Sequence, residues 1–403
     1  PGVRSHPLHV EDPEGKRRLR LFLEQHRLRE PDKQARLLSK QVRVEPLRGY
    51  EKAATEILTL LEDELGLQPE AQDLLLRALA ALGKEPATSA SKLDILLEPE
   101  LRADAALRRI LLVLLETMER NEAGTSADLD SEFLHDFRVA VRRTRSALGQ
   151  LKTVLPPATL ARFRREFAWL GTITSPTRDL DVYLLKFGNY QKQLPEEMRA
   201  DLEPLREFLV RHQGEEQALL ARQLAGARYR KLKRSWRRYL ESPLPQRPGA
   251  RDARKPILEV ARRRTWRMYR RVRREGRAIT PDSPATDLHE LRKSCKKLRY
   301  LMEFFQALFP AAELRKLTRE LKSLQDNLGD FQDLEVQTGT LGHYAEQMRA
   351  EGHMNPRTER AMQTLQAGLK SGMHEVRSEF EQRFARFSRK PNAQRFQRLF
   401  KPE

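Results

Sequence analysis

The sequence predicts an all-α fold made of two copies of one helical unit, preceded by a small N-terminal region of mixed α/β character. Three observations support this prediction. Apolar residues recur with helical period along most of the 403-residue chain. An unusual cationic pattern that begins at Leu134-His135 returns at Leu288-His289, 154 positions later. Other residues repeat at the same offset over about 75 residues without a gap, so we expect the two copies to be related by a pseudo-twofold axis.

The first 95 residues lack this repeat. Short apolar and β-branched runs predict strands at 19–23 and 41–44. The segments of helical period that follow predict helices at 50–65 and 70–82, and a loop is predicted at 87–91. We therefore treat 1–95 as a separate region.

Each repeated unit is expected to hold one helix before the cationic helix and further helices after it. Pro156 and Pro310 end the cationic helices. A second helix is predicted to end at Gly171 or Gly329, and a third to begin near Arg178 or Phe331. The remaining helices are predicted at 100–120, 201–240, 254–275 and 359–387. A proline-rich linker at 242–249 divides the repeats into 96–245 and 250–403.

The spacing of the cationic pattern places its charges on one helical face. At about 100° per residue, the histidine and the bases three, seven and ten positions later fall within an arc of roughly 80°. With the adjacent base, these residues are His135, Arg138, Arg142, Arg143 and Arg145, then His289, Arg292, Lys296, Lys297 and Arg299. The opposite faces are apolar, with Phe137, Ala140, Val141, Thr144 and Leu148, then Leu291, Cys295, Leu298, Met302 and Phe305. Each segment is therefore predicted to be an amphipathic helix.

The positive charge on these faces has no counter-charge within its own helix. Arg138 faces Arg142, and Arg292 faces Lys296, although like charges at this spacing destabilise a helix. Two kinds of group could neutralise this charge. One is an anionic ligand, and the other is a set of acidic side chains on other helices, Asp179, Asp181, Asp333 and Glu335.

Composition narrows the class of protein. The formal net charge of +19 predicts attraction to polyanions without choosing among nucleic acid, anionic membrane and other polymers. Cys295 is the only cysteine, which excludes an intramolecular disulfide framework and fits a reducing cytoplasm. The longest apolar run, 110–115, is too short to span a bilayer.

No catalytic or cofactor motif stands out in the sequence. It contains no phosphate loop, serine-nucleophile motif or His-Glu-x-x-His motif. Asp179 and Asp181 are two residues apart, so on a helix they point in nearly opposite directions and do not predict a metal site. We expect no metal, no cofactor and no catalysis.

Two basic runs, 228–238 and 262–274, contain interleaved aromatic residues, a mixture that also suits nucleic acid. Trp236 and Tyr239 are three residues apart, as are Trp266 and Tyr269. This spacing favours helices that bury their rings in a bundle. We therefore predict that these rings belong to the core.

The paired cationic helices and the segment Arg178-Asp179-Leu180-Asp181-Val182 resemble the conserved histidine α-helical domain family, CHAD. The resemblance covers about residues 96–395. It implies two four-helix bundles packed about a pseudo-twofold axis, with basic helices that line a central pore or groove and bind inorganic polyphosphate. Members often follow a CYTH-type triphosphate-tunnel domain, but residues 1–95 lack its Glu-x-Glu-x-Lys signature. We interpret 1–95 as a degenerate or truncated remnant and assign it no triphosphatase activity.

Carried over to this chain, the resemblance implies a set of polyphosphate-binding residues. They are His135, Arg138, Arg142, Arg143, Arg145, His289, Arg292, Lys293, Lys296, Lys297 and Arg299, with Arg109 and Arg263 from the helices before the cationic ones. Lys293 is an additional base, because the first copy has Val139 at that position. The two halves are therefore not expected to hold the ligand identically.

The leading hypothesis is a non-enzymatic polyphosphate-binding protein of the bacterial cytoplasm, acting as an adaptor or as a component of polyphosphate granules. One alternative is a nucleic-acid-binding protein that uses the same bases against backbone phosphates. The other is a regulatory or substrate-delivery module for a phosphate-handling enzyme. No membrane partner is expected.

Overall fold

The computed structural model describes residues 2–12, 14–15, 17–28, 35–47, 50–70, 77–78, 81–82 and 95–402. The chain divides into two compact units, Pro1–Ser89 and Ala90–Glu403. Each unit has its own secondary structure.

The first unit contains a three-stranded antiparallel sheet followed by a helix. The strands lie in the order β1-β2-β3, and helix α1 comes after them: β1 (Gly2–Glu11), β2 (Arg17–Leu28), β3 (Arg36–Pro46) and α1 (Glu51–Asp63). The predictions of strands near 19–23 and 41–44 and of a helix over 50–65 are confirmed. Strand β1 was not predicted from the sequence, because Pro7 breaks its pattern. A proline is tolerated there, since β1 is an edge strand within this sheet.

Two predictions for this first unit cannot be followed in the structure. The predicted loop at 87–91 and most of the predicted helix at 70–82 lie outside the described residues.

The second unit is all-α and consists of two four-helix units related by the sequence repeat. The first comprises α2 (Ala103–Ser126), α3 (Ser131–Gln150), α4 (Pro157–Ile173), α5 (Ser175–Gln193), α6 (Glu203–Ala225) and α7 (Ala227–Glu241). The second comprises α8 (Ile257–Ala278), α9 (Ala285–Phe304), α10 (Ala311–Ala350), α11 (Pro356–Ser378), α12 (Phe380–Ser388) and α13 (Lys390–Phe400). Each of these halves counts as four helical segments when interrupted helices are taken together. In the first half, α4 and α5 form one interrupted segment and α6 and α7 form another. In the second half, α11, α12 and α13 form one interrupted segment.

One predicted break in the second copy is wrong. Helix α10 runs without interruption through Gly329 and Phe331, where the sequence predicted one helix to end and another to begin. The first copy does break there, at Thr174, and Pro176 lies in the first turn of α5. The residue at the repeat position of Pro176 is Asp330, which can donate its backbone N–H inside a helix. The missing proline therefore accounts for the continuous helix.

Backbone contacts between the two halves follow the repeat offset. The N–H of Ala103 donates to the carbonyl of Lys255 at 2.9 Å, and the N–H of Ile257 donates to the carbonyl of Leu101 at 2.8 Å. Adding the repeat offset of 154 to Ala103 gives Ile257, and subtracting it from Lys255 gives Leu101. The two segments therefore meet at the pseudo-twofold axis. The hydroxyl of Tyr183 likewise donates to the carbonyl of Gln337, its own repeat position, at 3.2 Å.

The hydrophobic core draws on both halves. One cluster extends from Ile95 to Phe400 and includes the apolar backs of α3 and α9, and a second joins α5 and the start of α6 to the end of α10 and α11. Trp236 and Tyr269 are fully buried, and Tyr239 and Trp266 pack against the same cluster. The prediction that the rings of the basic runs belong to the core is thus confirmed for Trp236 and Tyr269, whereas Tyr239 and Trp266 are only partly buried. Among the described residues, no helix combines the length and apolar character needed to cross a membrane.

Candidate anion-binding site

Helices α3 and α9 contact each other, so the two cationic faces meet in one region of the second unit. Their apolar sides fix this arrangement, because Phe137, Val141, Leu291 and Leu298 are all at most 1% exposed. Asp130 accepts a hydrogen bond from the N–H of Glu132 and so caps the start of α3. The bases therefore project from two rigid helices.

A cavity of about 480 Å³ opens between α3, α4 and α9. Its basic lining residues are Arg142, Arg145, Arg164, Lys293, Lys296 and Lys297. The other lining residues are Ser146, Gly149, Gln150, Ala168 and Tyr300, so none of the lining side chains is acidic. We call this space the basic cavity. Its volume falls in the range of roughly 300–1,000 Å³ that is usual for small-molecule sites.

Most charges of the basic cavity have no counter-ion. No carboxylate in the described part of the chain lies within 4.0 Å of Arg142, Arg145, Arg164, Lys296 or Lys297, whereas Lys293 is paired with Glu290. Burial, together with the charges of Arg292 and Arg142, lowers the pKa of Lys296 to about 8. The free protein thus holds cations close together at an energetic cost, which a bound anion would relieve.

Two cavity bases are positioned by close contacts. Lys293 donates to Glu290, one turn earlier on α9, at 2.7 Å, and its side chain is 48% exposed. Arg145 lies over Gly171 of α4, where a Cβ atom would come within 2.6 Å of the arginine Nη1. The absence of a side chain at Gly171 therefore leaves room for Arg145.

Arg164 was missed by the sequence analysis. This arginine lies outside the two cationic helices from which most of the binding residues were predicted, and its repeat position is Thr318, so the repeat does not mark it. The cluster Arg162, Arg164 and Arg165 just after Pro156 was the available signal.

The two histidines are held by residues at matching repeat positions. Arg178 Nη2 donates to His135 Nδ1 at 3.0 Å. His289 Nδ1 bonds Gln332, whose amide Nε2 in turn donates to Glu335 at 3.0 Å. Burial first, and then the charge of Arg178, lower the pKa of His135. This shift favours the neutral imidazole, and because Nδ1 accepts from Arg178, the proton of the neutral ring is on Nε2.

Arg138 and Arg292 are half-buried, and each has partners within the protein. Arg138 Nη1 donates to Thr174 Oγ1 at 2.9 Å and to Ser175 Oγ at 3.1 Å. Burial lowers the pKa of Arg138 to about 10, although the charge of Asp179 opposes the shift. Arg292 Nη2 lies 3.5 Å from Asp333.

Neither Arg138 nor Arg292 lines the basic cavity. Arg292 and His289 instead line a neighbouring cavity of about 600 Å³, together with the acidic Asp179, Glu216 and Asp333. That second cavity is therefore of mixed charge.

Arg143 and Arg299 share one carboxylate. Glu303 Oε2 lies 3.0 Å from Arg143 Nη2, and Glu303 Oε1 lies 3.2 Å from Arg299 Nε. The repeat position of Glu303 is Gly149, so Lys297, the counterpart of Arg143, has no equivalent acid. The two halves of the site are therefore unequal.

Arg109 and Arg263 do not line the basic cavity. Arg109 lies 3.8 Å from Glu98, and Arg263 lies 2.6 Å from the buried Asp252. Of the thirteen residues implied by the resemblance, the structure brings five into the basic cavity, namely Arg142, Arg145, Lys293, Lys296 and Lys297.

Among the described residues, no three or more histidine, cysteine, aspartate or glutamate side chains are grouped so that they could bind a metal ion. Asp181 Oδ1 instead accepts a hydrogen bond from Gln213 at 3.1 Å. Cys295 is fully buried on the apolar side of α9, and this burial raises the pKa of its thiol.

Comparisons with known proteins bear on the family and the fold of this chain. A family model described as the CHAD domain matches residues 109–342, more than half of the chain. The chain is similar to the crystal structure of the CHAD domain from the plant Ricinus communis, with 24% identity and a TM-score of 0.60, covering 73% of this chain and 96% of that one. It is also similar to PptA from Streptomyces chartreusis, with 16% identity and a TM-score of 0.54, covering 70% of this chain and 99% of that one. No curated protein matches the sequence.

Proposed function

Because the chain belongs to the CHAD domain family, we propose that it binds inorganic polyphosphate in the basic cavity. One observation carries the proposal: six bases from three helices line a single cavity that has no acidic lining residue. Polyphosphate carries a charge on every unit and no nucleobases, so its binder needs a fixed group of cations and no hydrogen-bond code. The cavity offers such a group.

The chemistry of the lining residues suits phosphate oxygens. Arg142, Arg145 and Arg164 keep their charge at physiological pH, and each can bond two oxygens at once. The lysines act as compact point charges with three donors each. We expect bound phosphate to raise the pKa of Lys296 again, because its negative charge offsets the cost of burial and the repulsion of Arg292 and Arg142.

Polyphosphate is favoured over nucleic acid as the ligand of this cavity. Single-stranded nucleic acids are usually held by exposed aromatic rings as well as by charge. Tyr300 is the only aromatic residue in the cavity lining, and it is 7% exposed. The cavity therefore supplies charge without a stacking surface.

A competition experiment tests the ligand class. Labelled polyphosphate is bound to the full chain and displaced by unlabelled polyphosphate of graded length, or by DNA and RNA of matched charge, at fixed physiological salt. We expect polyphosphate to displace the label at lower charge concentration than either nucleic acid. Stronger displacement by nucleic acid would overturn the proposal. Salt dependence alone is not diagnostic, since every polyanion shows it.

The proposed function includes no catalysis, and incubation of the pure protein with tripolyphosphate and Mg²⁺ tests this. Phosphate release above that of the protein-free control would show that an active site exists. We also propose that the protein acts in the bacterial cytoplasm, as an adaptor or on polyphosphate granules. Imaging of the tagged chain in cells with and without granules tests this second point.

A further inference from the structure

A second basic surface lies on helix α8, away from the basic cavity. A cavity of about 600 Å³ there is lined by Arg263, Trp266, Arg267, Arg270, Arg271, Arg274 and Pro402. No residue of this lining is acidic, and none is shared with the basic cavity. We call it the α8 groove.

The arginines of the α8 groove form a row. Arg263, Arg267, Arg270 and Arg274 fall within an arc of roughly 60° on the helix and extend over about 16 Å. Arg267, Arg270 and Arg274 are exposed, and no carboxylate in the described part of the chain lies within 4.0 Å of them. Arg263 and Arg271, at the edges of the row, are paired with Asp252 and Glu275.

The row is rigid, because the opposite side of α8 is anchored in the core. Val260, Tyr269 and Val272 are fully buried, and the Tyr269 ring stacks on Phe396 with centroids 3.9 Å apart. The row is also not a product of the repeat. The positions in α2 that correspond to Arg267 and Arg270 are Val113 and Glu116.

The α8 groove differs from the basic cavity in two ways that bear on its ligand. All of its bases are arginines, whose planar guanidinium groups stack on nucleobases as well as bonding phosphates. Trp266 packs against the core but is only partly buried, and it is one of the lining residues. Exposed aromatic rings beside a row of cations are the usual platform for unpaired bases.

We infer that the α8 groove binds single-stranded nucleic acid, with the backbone phosphates along the arginine row and a base on Trp266. The inference concerns a different surface from the polyphosphate site, and each can fail without the other. RNA and DNA strands share the chemistry invoked, so both serve as probes.

The test uses the full chain and labelled oligouridine and oligothymidine of about 12 nucleotides, a length that matches single-strand binding sites. We expect Arg267→Gln with Arg270→Gln to weaken binding at least tenfold. The slope of log affinity against log salt should fall by about 1.4, since each lost phosphate contact accounts for about 0.7. Trp266→Leu, which keeps an apolar side chain against the core, should weaken binding about tenfold with no change in that slope.

Two control variants complete the design. Arg360→Gln with Lys370→Gln removes the same charge from exposed positions of α11 and should leave oligonucleotide affinity within about twofold. Arg142→Gln with Lys296→Gln alters the basic cavity and should also leave it unchanged. Circular dichroism and melting curves check that each variant is folded.

Three outcomes would overturn the inference. The first is unaltered oligonucleotide binding by both α8 variants. The second is an equal loss of polyphosphate and oligonucleotide binding in those variants, which would make the groove a general polyanion surface. The third is tighter binding to vesicles of anionic lipid than to either oligonucleotide, with the same dependence on Arg267 and Arg270.

Discussion

Glu303 Oε2 lies 3.0 Å from Arg143 Nη2, so a carboxylate of α9 holds a base of α3 across the contact between the two halves. The Arg143 side chain is only 9% exposed, and Glu303 also holds Arg299. One acid thereby occupies two bases of the predicted binding set. In this they differ from most bases of the basic cavity, which have no carboxylate of the described residues within 4.0 Å.

Glu303→Gln should increase polyphosphate affinity and decrease stability. The substitution frees Arg143 and Arg299 from a charged partner, which adds positive potential beside the cavity. It also weakens the bonding of a buried guanidinium, for which we expect a loss of about 1–3 kcal/mol in the free energy of unfolding. Binding titrations and urea unfolding measure the two effects.

The matched control for this variant is Glu241→Gln, which removes an acid that bonds Arg237 at 2.8 Å on helix α7. We expect little change in either quantity there. Lower affinity in Glu303→Gln would mean that Glu303 shapes the site for the ligand instead of competing with it.

Arg142→Gln with Lys296→Gln should lower polyphosphate affinity at least a hundredfold. Each base lies on a different helix of the basic cavity, and each charged hydrogen bond contributes about 1.5–3 kcal/mol. Isothermal titration calorimetry with a defined phosphate oligomer measures the loss. Arg230→Gln with Arg234→Gln carries the same charge change on α7 and should retain most of the affinity. Equal losses in the two variants would point to unspecific attraction.

Polyphosphate affinity should fall as the pH rises above 8. In the free protein the pKa of Lys296 is lowered to about 8, and a bound anion raises it. Below pH 8 the lysine is charged in both states, so pH has little effect through this group. Between the two pKa values binding must take up a proton, and the affinity decreases. Titrations from pH 7 to about pH 9.5 would show the decrease.

Lys296→Arg supplies the control for pH dependence. Arginine keeps its charge throughout this range, so the variant should bind with an affinity nearly independent of pH. A wild-type affinity that stays constant up to pH 9.5 would contradict the assignment of Lys296 to the site.

Asp330→Pro should destabilise the protein by about 3 kcal/mol or more, because it removes a backbone donor inside α10 and introduces a steric clash. The exchanged substitution, Pro176→Asp, should cost much less. Position 176 lies in the first turn of α5, where an acidic residue interacts favourably with the helix dipole. Urea unfolding of the two variants tests the difference. Equal costs would mean that the proline does not cause the break between α4 and α5.

Much of the second unit was predictable, because burial and charge follow helical periods along the chain. The starts of α3 and α9 lie 154 positions apart, as the pattern around His135 and His289 predicted. The continuity of α10 was not predicted, because Gly329 was interpreted as a helix end. A glycine destabilises a helix but does not end it, whereas a proline does. Strand β1 was missed because pairing with β2, and not its own sequence, makes it a strand.

The candidate site was predictable only in part. Helical spacing grouped Arg142 with Arg145, and both line the basic cavity, but it also grouped Lys296 with Arg299, which does not line it. It could not show that Glu303 reaches Arg143 from another helix, because that contact depends on tertiary packing. Nor could it find Arg164, which the second copy does not repeat. Distances between helices decide which bases a ligand can reach.

The two halves of the second unit are related like the subunits of a homodimer, although they belong to one polypeptide. The reciprocal backbone bonds from Ala103 to Lys255 and from Ile257 to Leu101 show this relationship. In a true homodimer every substitution appears twice. Here one half can change alone, as the pair Glu303 and Gly149 demonstrates. Covalent linkage of the halves thus lets a symmetric scaffold carry a different arrangement of charges on each side of its axis.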